Sequence, residues 1–168
     1  MDNVVRLPHL RVCGHTPDRG ERAAEFLHRN WHETYRRFLP ADLRAERSVD
    51  YFRHYLADRR NACWLALYGN RLVGLATVSA NCVDDLWVGQ GYRRRGIGRR
   101  LLKAAVAALR ENGYESVQAG CEGFNRDALA FFDATGFRQI GVETVTLKPA
   151  LRVEAIVLGR HLPPGAVA

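Results

Sequence analysis

Gln90-Gly91-Tyr92-Arg93-Arg94-Arg95-Gly96-Ile97-Gly98-Arg99-Arg100-Leu101-Leu102 follows the short apolar run Leu86-Trp87-Val88 and opens an amphipathic pattern that lasts to Asn112. Strand, glycine-bearing turn, helix is an order that makes a phosphate site. The first N–H groups of a helix have no partner inside it, and the aligned peptide dipoles put partial positive charge there. An anionic oxygen satisfies both. Gly96 and Gly98 lack a Cβ, so a ligand can approach the backbone closely and φ > 0 is tolerated. Arginines crowd the same turn, and Gln90 to Leu102 holds no acid. These residues describe a site for a polyanion; the plainer reading of them is a basic helix cap with a solvated arginine face.

The kind of polyanion follows from what the turn lacks. Gly91 to Gly96 has the glycine spacing of a P-loop, but Ile97-Gly98 stands where Lys-Ser/Thr must hold phosphate and magnesium. A dinucleotide fingerprint needs a third glycine where this chain has Leu101. What remains, Arg93-Arg94-Arg95-Gly96-Ile97-Gly98 after Leu86-x-Val88, resembles the acyl-CoA signature of the GNAT N-acetyltransferase superfamily, Arg/Gln-x-x-Gly-x-Gly/Ala. A second block, Asn125-Arg126-Asp127-Ala128-Leu129-Ala130-Phe131-Phe132-Asp133-Ala134-Thr135-Gly136-Phe137, resembles the same family's Asn-x-x-Ala-x-x-Phe-Tyr-x-x-x-Gly-Phe segment. The resemblance is specific over 82–140 and weaker before it. One departure matters: Phe132 occupies the family's usual tyrosine position.

Composition sets the frame. The chain has 168 residues, enough for one domain with a real core, and it reads as a single domain over 1–168. A hydrophobic fraction of 47% and a charged fraction of 26% are ordinary for a globular protein. The net charge of +7 suits an anionic cofactor or nucleic acid. It equally suits a general arginine bias, because arginine is spread along the whole chain. Nucleic acid is disfavoured, since only Tyr92 stands beside the main arginine cluster and basic runs lack interleaved aromatics. Cys13, Cys63, Cys82 and Cys121 have neither C-x-x-C nor zinc spacing and read as small core side chains in a reducing compartment. The N-terminus is too short and interrupted for a signal peptide, and no apolar run reaches the ~18 residues that span a membrane. The expectation is a cytoplasmic protein with no membrane and no metal.

In chain order, Leu10 to Cys13 reads as a strand. Asp18 and Glu21, at capping-box spacing, open a helix over 18–37 with Ala23, Phe26, Leu27, Trp31 and Tyr35 on one face. Leu39-Pro40 breaks it. Ser48 caps a second helix with Tyr51, Phe52, Tyr55 and Leu56 as the buried stripe. Strands 63–68 and 71–79 flank the turn Gly69-Asn70 and form an antiparallel hairpin. A strand over 82–88 leads into the phosphate turn. The next helix sets Ile97, Leu101, Leu102, Ala105, Ala108 and Leu109 on one face and ends at Asn112-Gly113. Strand 116–121 follows, parallel to 82–88 through a right-handed crossover. Helix 125–135, strands 137–147 and 151–158, and a tail from Leu162 complete the chain. This order predicts an α/β layer: a mixed, mostly antiparallel sheet flanked by helices, with a central parallel pair (82–88 and 116–121) that the resemblance implies is splayed. The last strand is free to pair at an edge, so a homodimer is open.

The resemblance also implies chemistry. Acetyl-CoA would be the cosubstrate and an amine of a small molecule or protein the acceptor. The main chain of Leu86, Trp87 and Val88 would bind pantetheine, and the N–H near Val88 would polarise the acetyl carbonyl, a preset donor typically worth ~3 kcal/mol. Arg93, Arg94, Arg95, Gly96, Ile97, Gly98 and Arg99 would hold the pyrophosphate. Asn125, which also reads as a helix cap, Ala128, Phe131 and Phe132 would face pantetheine. A lysine-like amine has pKa ~10.4, so keeping it neutral at pH 7 costs ~4.6 kcal/mol and a base is useful. Asp84 is the first choice of base and Asp85 the second; alternation puts them on opposite faces of the strand. Glu122 is a lesser candidate. Phe132 cannot protonate the leaving thiolate, but a thiol of pKa ~8.5 leaves near neutrality without much help. Trp31 and Tyr35, with Glu143 or Glu154, are candidates for acceptor contacts. His28 and His32, one helical turn apart, read as a polar helix face rather than a metal site. The absent tyrosine keeps a second function open, a non-catalytic acyl-CoA-binding or sensor module.

Overall fold

Gly69 takes φ 58° between two strands whose middle residues are buried in continuous runs, and that turn sets their antiparallel ladder. In the computed structural model, which describes residues 9–58, 61–148 and 151–163, the strands are β1 (Leu10–Gly14), β2 (Asn61–Tyr68), β3 (Arg71–Ser79), β4 (Cys82–Val88), β5 (Ser116–Glu122), β6 (Arg138–Lys148) and β7 (Leu151–His161). They form one sheet in the order β1-β2-β3-β4-β5-β7-β6. Pairing is antiparallel between β1 and β2, β2 and β3, β5 and β7, and β6 and β7. The exception is parallel: β4 pairs β5 through Cys82↔Gln118 and Val83↔Ala119. The helices are α1 (Gly20–Tyr35), α2 (Ala41–Ala45), α3 (Val49–Ala57), α4 (Ile97–Glu111) and α5 (Arg126–Asp133). The mixed, mostly antiparallel sheet with one parallel pair is the expected architecture.

The chain forms two compact units: residues up to Ala80 with Asp85–Ala105, and Asn81–Asp84 with the residues from Val106 onward. In the first, α1 and α3 lay Ala23, Ala24, Phe26, Leu27, Phe52 and Leu56 against Leu65 and Leu75. A second cluster joins Ala66, Val73 and Ala76 to Ile97 and Leu101 of α4, with Leu86 and Val88 packed against it. Gly74 permits this approach. A Cβ there would lie 3.0 Å from Leu101 Cδ1, 3.1 Å from Ile97 Cγ2 and 3.1 Å from the Trp87 carbonyl oxygen.

Local competition moves several expected boundaries in this unit. No capping box forms at α1. A 3-10 turn, Pro17–Arg19, precedes the helix, and its N-cap is Arg19 without a side-chain bond. Glu21 is instead engaged by Arg53 of α3, whose Nε and Nη2 donate to its two oxygens at 2.8 and 2.9 Å. The short helix α2, after Pro40, was not anticipated. Ser48 does cap α3, accepting from the Tyr51 N–H at 3.1 Å. Tyr51 is not part of the buried stripe: it is 40% exposed, with the Arg47 guanidinium 4.3 Å from its ring centroid.

In the second unit, Val106 and Leu109 of α4, Val117 and Ala119 of β5, Phe132 and Phe137 are all buried. Asn125 caps α5 by accepting from the Ala128 N–H at 3.3 Å. The last strand runs to His161, three residues further than expected, and it is not an edge. β7 lies between β5 and β6, its ladder to β5 running from Ser116↔His161 to Glu122↔Ala155. Leu162, expected in a tail, is buried, and its N–H donates to the Glu115 carbonyl at 2.8 Å. The rest of that tail, from Pro164, lies outside the described residues.

Gly74→Val is expected to destabilise the protein by about 1–3 kcal/mol, because overpacking forces neighbours off their rotamers. Thermal unfolding measures it. A wild-type melting temperature would contradict the close approach of β3 to α4 and β4.

Candidate functional site

The backbone leaves β4 in a controlled way. The Gly89 N–H donates to the Val73 carbonyl at 2.9 Å, and the Tyr92 N–H donates to the Gly89 carbonyl at 2.8 Å. The chain then takes left-handed conformations at Arg94 (φ 60°) and Gly96 (φ 78°). These two positions bend the chain into α4. The Arg100 N–H bonds the Gly96 carbonyl at 3.1 Å, so the backbone N–H groups of Ile97 and Gly98 fall in the first turn of the helix, before its ladder begins. Ile97 is 1% exposed, so its side chain is an anchor in the core.

The arginines divide by role. Arg93 donates from Nε to the Val88 carbonyl at 3.2 Å, which ties the turn to the end of β4. Arg100 donates to the Leu10 carbonyl at 3.1 Å. Arg95 lies 5.9 Å from the Tyr92 ring centroid and Arg71 5.7 Å from the same ring. Arg94, Arg95 and Arg99 are exposed along the turn and the first turn of α4. A polyphosphate fits this set of donors: orphan amides, positive charge, and φ values that open the backbone.

β4 sorts its side chains by alternation. Leu86 and Val88 pack toward Ile97 and Leu101, whereas Trp87 packs with the α1 and α3 cluster. Asp85 shares the Trp87 side. Its Oδ1 accepts from Trp87 Nε1 at 2.8 Å and its Oδ2 accepts from Thr77 Oγ1 at 3.0 Å. Thr77 is in turn 2.8 Å from the Tyr55 hydroxyl. Beyond Trp87 lies an aromatic wall: Tyr35 has its ring centroid 6.3 Å from Trp87, and Trp31 stacks 4.7 Å from Tyr35. The structure thus brings Asp85, Trp87, Tyr35 and Trp31 together.

Asp84 is exposed, and its carboxylate lies beside Cys82. Burial first, then the Asp84 charge and its hydrogen bond, push the Cys82 thiol up to about 11. Cys63 is pushed up to about 12, mainly by burial and then by the charge of Asp85. Cys121 also rises to about 12, through burial and then Glu122. In the second unit, the Asn125 carbonyl is used by its cap, leaving its amide N–H groups as donors. Phe132 is buried, 5.4 Å from Phe131 and 5.0 Å from Phe137 between ring centroids, so its ring is part of the core. Phe131 and Ala128 are half-buried.

His28 and His32 stack at 4.2 Å between centroids. His28 is held below the usual histidine range by burial and then by His32, and His32 Nε2 bonds the Arg47 carbonyl at 3.0 Å. Among the described residues no group of three His, Cys, Asp or Glu side chains could hold a metal ion. None of the described helices is long and apolar enough to cross a membrane. Thr77 and Tyr55 were not singled out from sequence as site residues. Tyr55 read as core, and the available signal was a lone hydroxyl in the apolar run Leu72 to Val78.

Comparison with known proteins agrees with this geometry. Residues 25–137 match the model of the acetyltransferase (GNAT) family. N-alpha-acetyltransferase 30 from Xenopus laevis is 28% identical over 110 residues, which are 60% of this chain and 40% of that protein. The chain therefore spans less than half the length of that relative. A GCN5-related N-acetyltransferase structure from Rhodopseudomonas palustris superposes with a TM-score of 0.74 at 16% identity, covering 90% of this chain and 95% of that one. A PaiA N-acetyltransferase from Thermoplasma acidophilum, solved in complex with coenzyme A, gives 0.70 at 16% identity over 91% and 99%. At these identities the structural likeness shows the fold.

The raised thiols predict an alkaline limit. Free thiols in the unfolded chain ionise near 9.0, while folded Cys63, Cys82 and Cys121 stay protonated to about 12, about 11 and about 12. Their contribution is fully present below pH 9 and is lost as pH rises toward 11–12. The melting temperature should fall above pH 9, and Cys63→Ala, though less stable throughout, should fall less steeply. An equally steep fall would contradict the buried thiol.

Proposed function

Because this chain belongs to the acetyltransferase (GNAT) family, we propose that it moves an acetyl group from acetyl-CoA to an amine by direct attack. The observation that carries the reading is the left-handed turn at Arg94 and Gly96, which follows β4 and the short 3-10 turn Gln90–Tyr92 and leads into α4. The amides from Gly96 to Arg99 would hold the pyrophosphate, with Arg94, Arg95 and Arg99 adding charge. The main chain of Leu86 to Val88 would hydrogen-bond pantetheine, and the Val88 N–H would face the acetyl carbonyl. Asn125, Ala128 and Phe131 are assigned to pantetheine by their match to the family segment, with Phe132 as a wall.

The acceptor arrives mainly as an ammonium, and one of the two β4 carboxylates takes its proton. The surroundings of the two carboxylates support Asp85 over Asp84, the first choice from sequence. Asp85 is held by two donors beside the aromatic wall, whereas Asp84 is exposed and lies against Cys82. Asp85 is therefore the proposed proton acceptor, and Asp84 the competing one. The freed nitrogen lone pair forms the C–N bond as the C–S bond breaks; the second nitrogen proton then leaves to solvent, the thiolate sulfur takes one proton from solvent, and the carboxylate returns its own, so each turnover releases one proton. A cationic head group would stack on Trp31 and Trp87, with Tyr35 behind them. The name of the Xenopus relative adds protein α-amines to the acceptor class. Small amines and polyamines stand beside them.

A second reading, a non-catalytic acyl-CoA-binding module, is favoured by Phe132, which offers no proton at the tyrosine position. Thiol release from acetyl-CoA, screened against polyamines, small amines and tetrapeptides with free N-termini, separates the two. Release with some amine supports the enzyme; CoA binding without release supports the module.

Gly98→Glu is expected to abolish CoA-dependent thermal stabilisation, because a carboxylate enters the anion site; undiminished stabilisation would remove the site from that turn. Asp85→Asn is expected to lower kcat by about a hundredfold or more with little change in CoA affinity, and Asp84→Asn by far less. The opposite ranking in steady-state kinetics would transfer the role to Asp84.

A further inference from the structure

Thr77 is a fully buried hydroxyl in a strand whose neighbouring residues, Leu75, Ala76 and Val78, are apolar and buried. A buried hydroxyl without partners is costly, and this one has two, Asp85 and Tyr55. Chemistry fixes the direction of both bonds. A carboxylate only accepts, so the Thr77 proton points to Asp85 Oδ2. The Thr77 oxygen is then left to accept, which makes the Tyr55 phenol the donor. The indole of Trp87 only donates, and it serves Asp85 Oδ1. Each carboxylate oxygen accepts one bond here and keeps a second lone pair for an incoming N–H.

We propose that Thr77 and Tyr55 are positioning residues for the proton acceptor: Tyr55 orients the Thr77 hydroxyl, and that hydroxyl, with the Trp87 indole, keeps the Asp85 carboxylate aimed at the acceptor's ammonium. The assignment rests on the reading of Asp85 as proton acceptor. The proton passes from the acceptor nitrogen to a carboxylate oxygen, and no bond to carbon is made or broken at Thr77 or Tyr55. The groups facing Asp85 and its partners are the Tyr55 phenol from α3, the Cys63 thiol from β2, Cys13 of β1 beside Cys63, and Tyr35 from α1 against Trp87. Cys63 stays protonated to about 12, so it carries no charge in the range tested.

The test uses the full chain, acetyl-CoA and the fastest-acetylated compound of the peptide and polyamine panel. Thr77→Val is expected to lower kcat about tenfold, the scale of one hydrogen bond to a charged group, while KM for acetyl-CoA stays constant. Thr77→Ser should restore kcat. Tyr55→Phe should act in the same direction, about threefold, the scale of a neutral hydrogen bond. The 15N–1H signal of the Trp87 indole, assigned by its loss in Trp87→Phe, should shift in Thr77→Val and return in Thr77→Ser. If Thr77→Val and Tyr55→Phe lower only the melting temperature, or if Thr77→Ser rescues nothing, the assignment falls and the acetyltransferase reading stands. If the wild-type chain acetylates no amine, the proton acceptor falls, and this assignment with it.

Discussion

The passage from β4 into α4 requires left-handed backbone at Arg94 and Gly96, and the rest of the site follows from that constraint. Gly96 adopts φ 78° freely, but an arginine at φ 60° is strained by about 1–2 kcal/mol. The strain is offset a few residues on, where Ile97 and Leu101 bury their side chains against Val73 and Ala76. Gly74 makes that burial possible by presenting no side chain to α4. The helix is thus locked in place with its N-terminus at the end of this turn, the position at which a phosphate is proposed to bind.

One strand serves two chemistries because its side chains alternate. Leu86 and Val88 anchor β4 in the core shared with α4, which leaves their backbone for the proposed pantetheine bonds. Asp85 and Trp87 face the α1 and α3 side, where their side chains would meet the proposed acceptor. Arg93 ties the following turn to the end of β4 by donating to the Val88 carbonyl. A substitution at Leu86 would therefore act through packing, while one at Asp85 would act through charge.

Much of this was legible because the signals were local. Gly69-Asn70 specified a hairpin, Ser48 and Asn125 specified caps, and β3 and β4 have the bounds read from sequence. What could not be read depends on distant residues. Glu21 has the right spacing for a capping box, but Arg53, on another helix, holds it more strongly. Helical periodicity placed Tyr51 on the buried face, yet the short helix α3 leaves that residue outside, against Arg47. The position of β7 between β5 and β6 is a long-range pairing that no local pattern announces. In the proposed site, the turn before α4 was visible as glycines among arginines. The support of Asp85 was not, because Thr77 and Tyr55 lie 8 and 30 residues away in the chain.

The most direct measurement is a titration of the 15N-labelled protein with coenzyme A, read amide by amide. The account predicts that the largest shifts fall on Leu86 to Val88 and on Arg93 to Arg99, and that they saturate together. Shifts concentrated elsewhere, or none at millimolar coenzyme A, would contradict it.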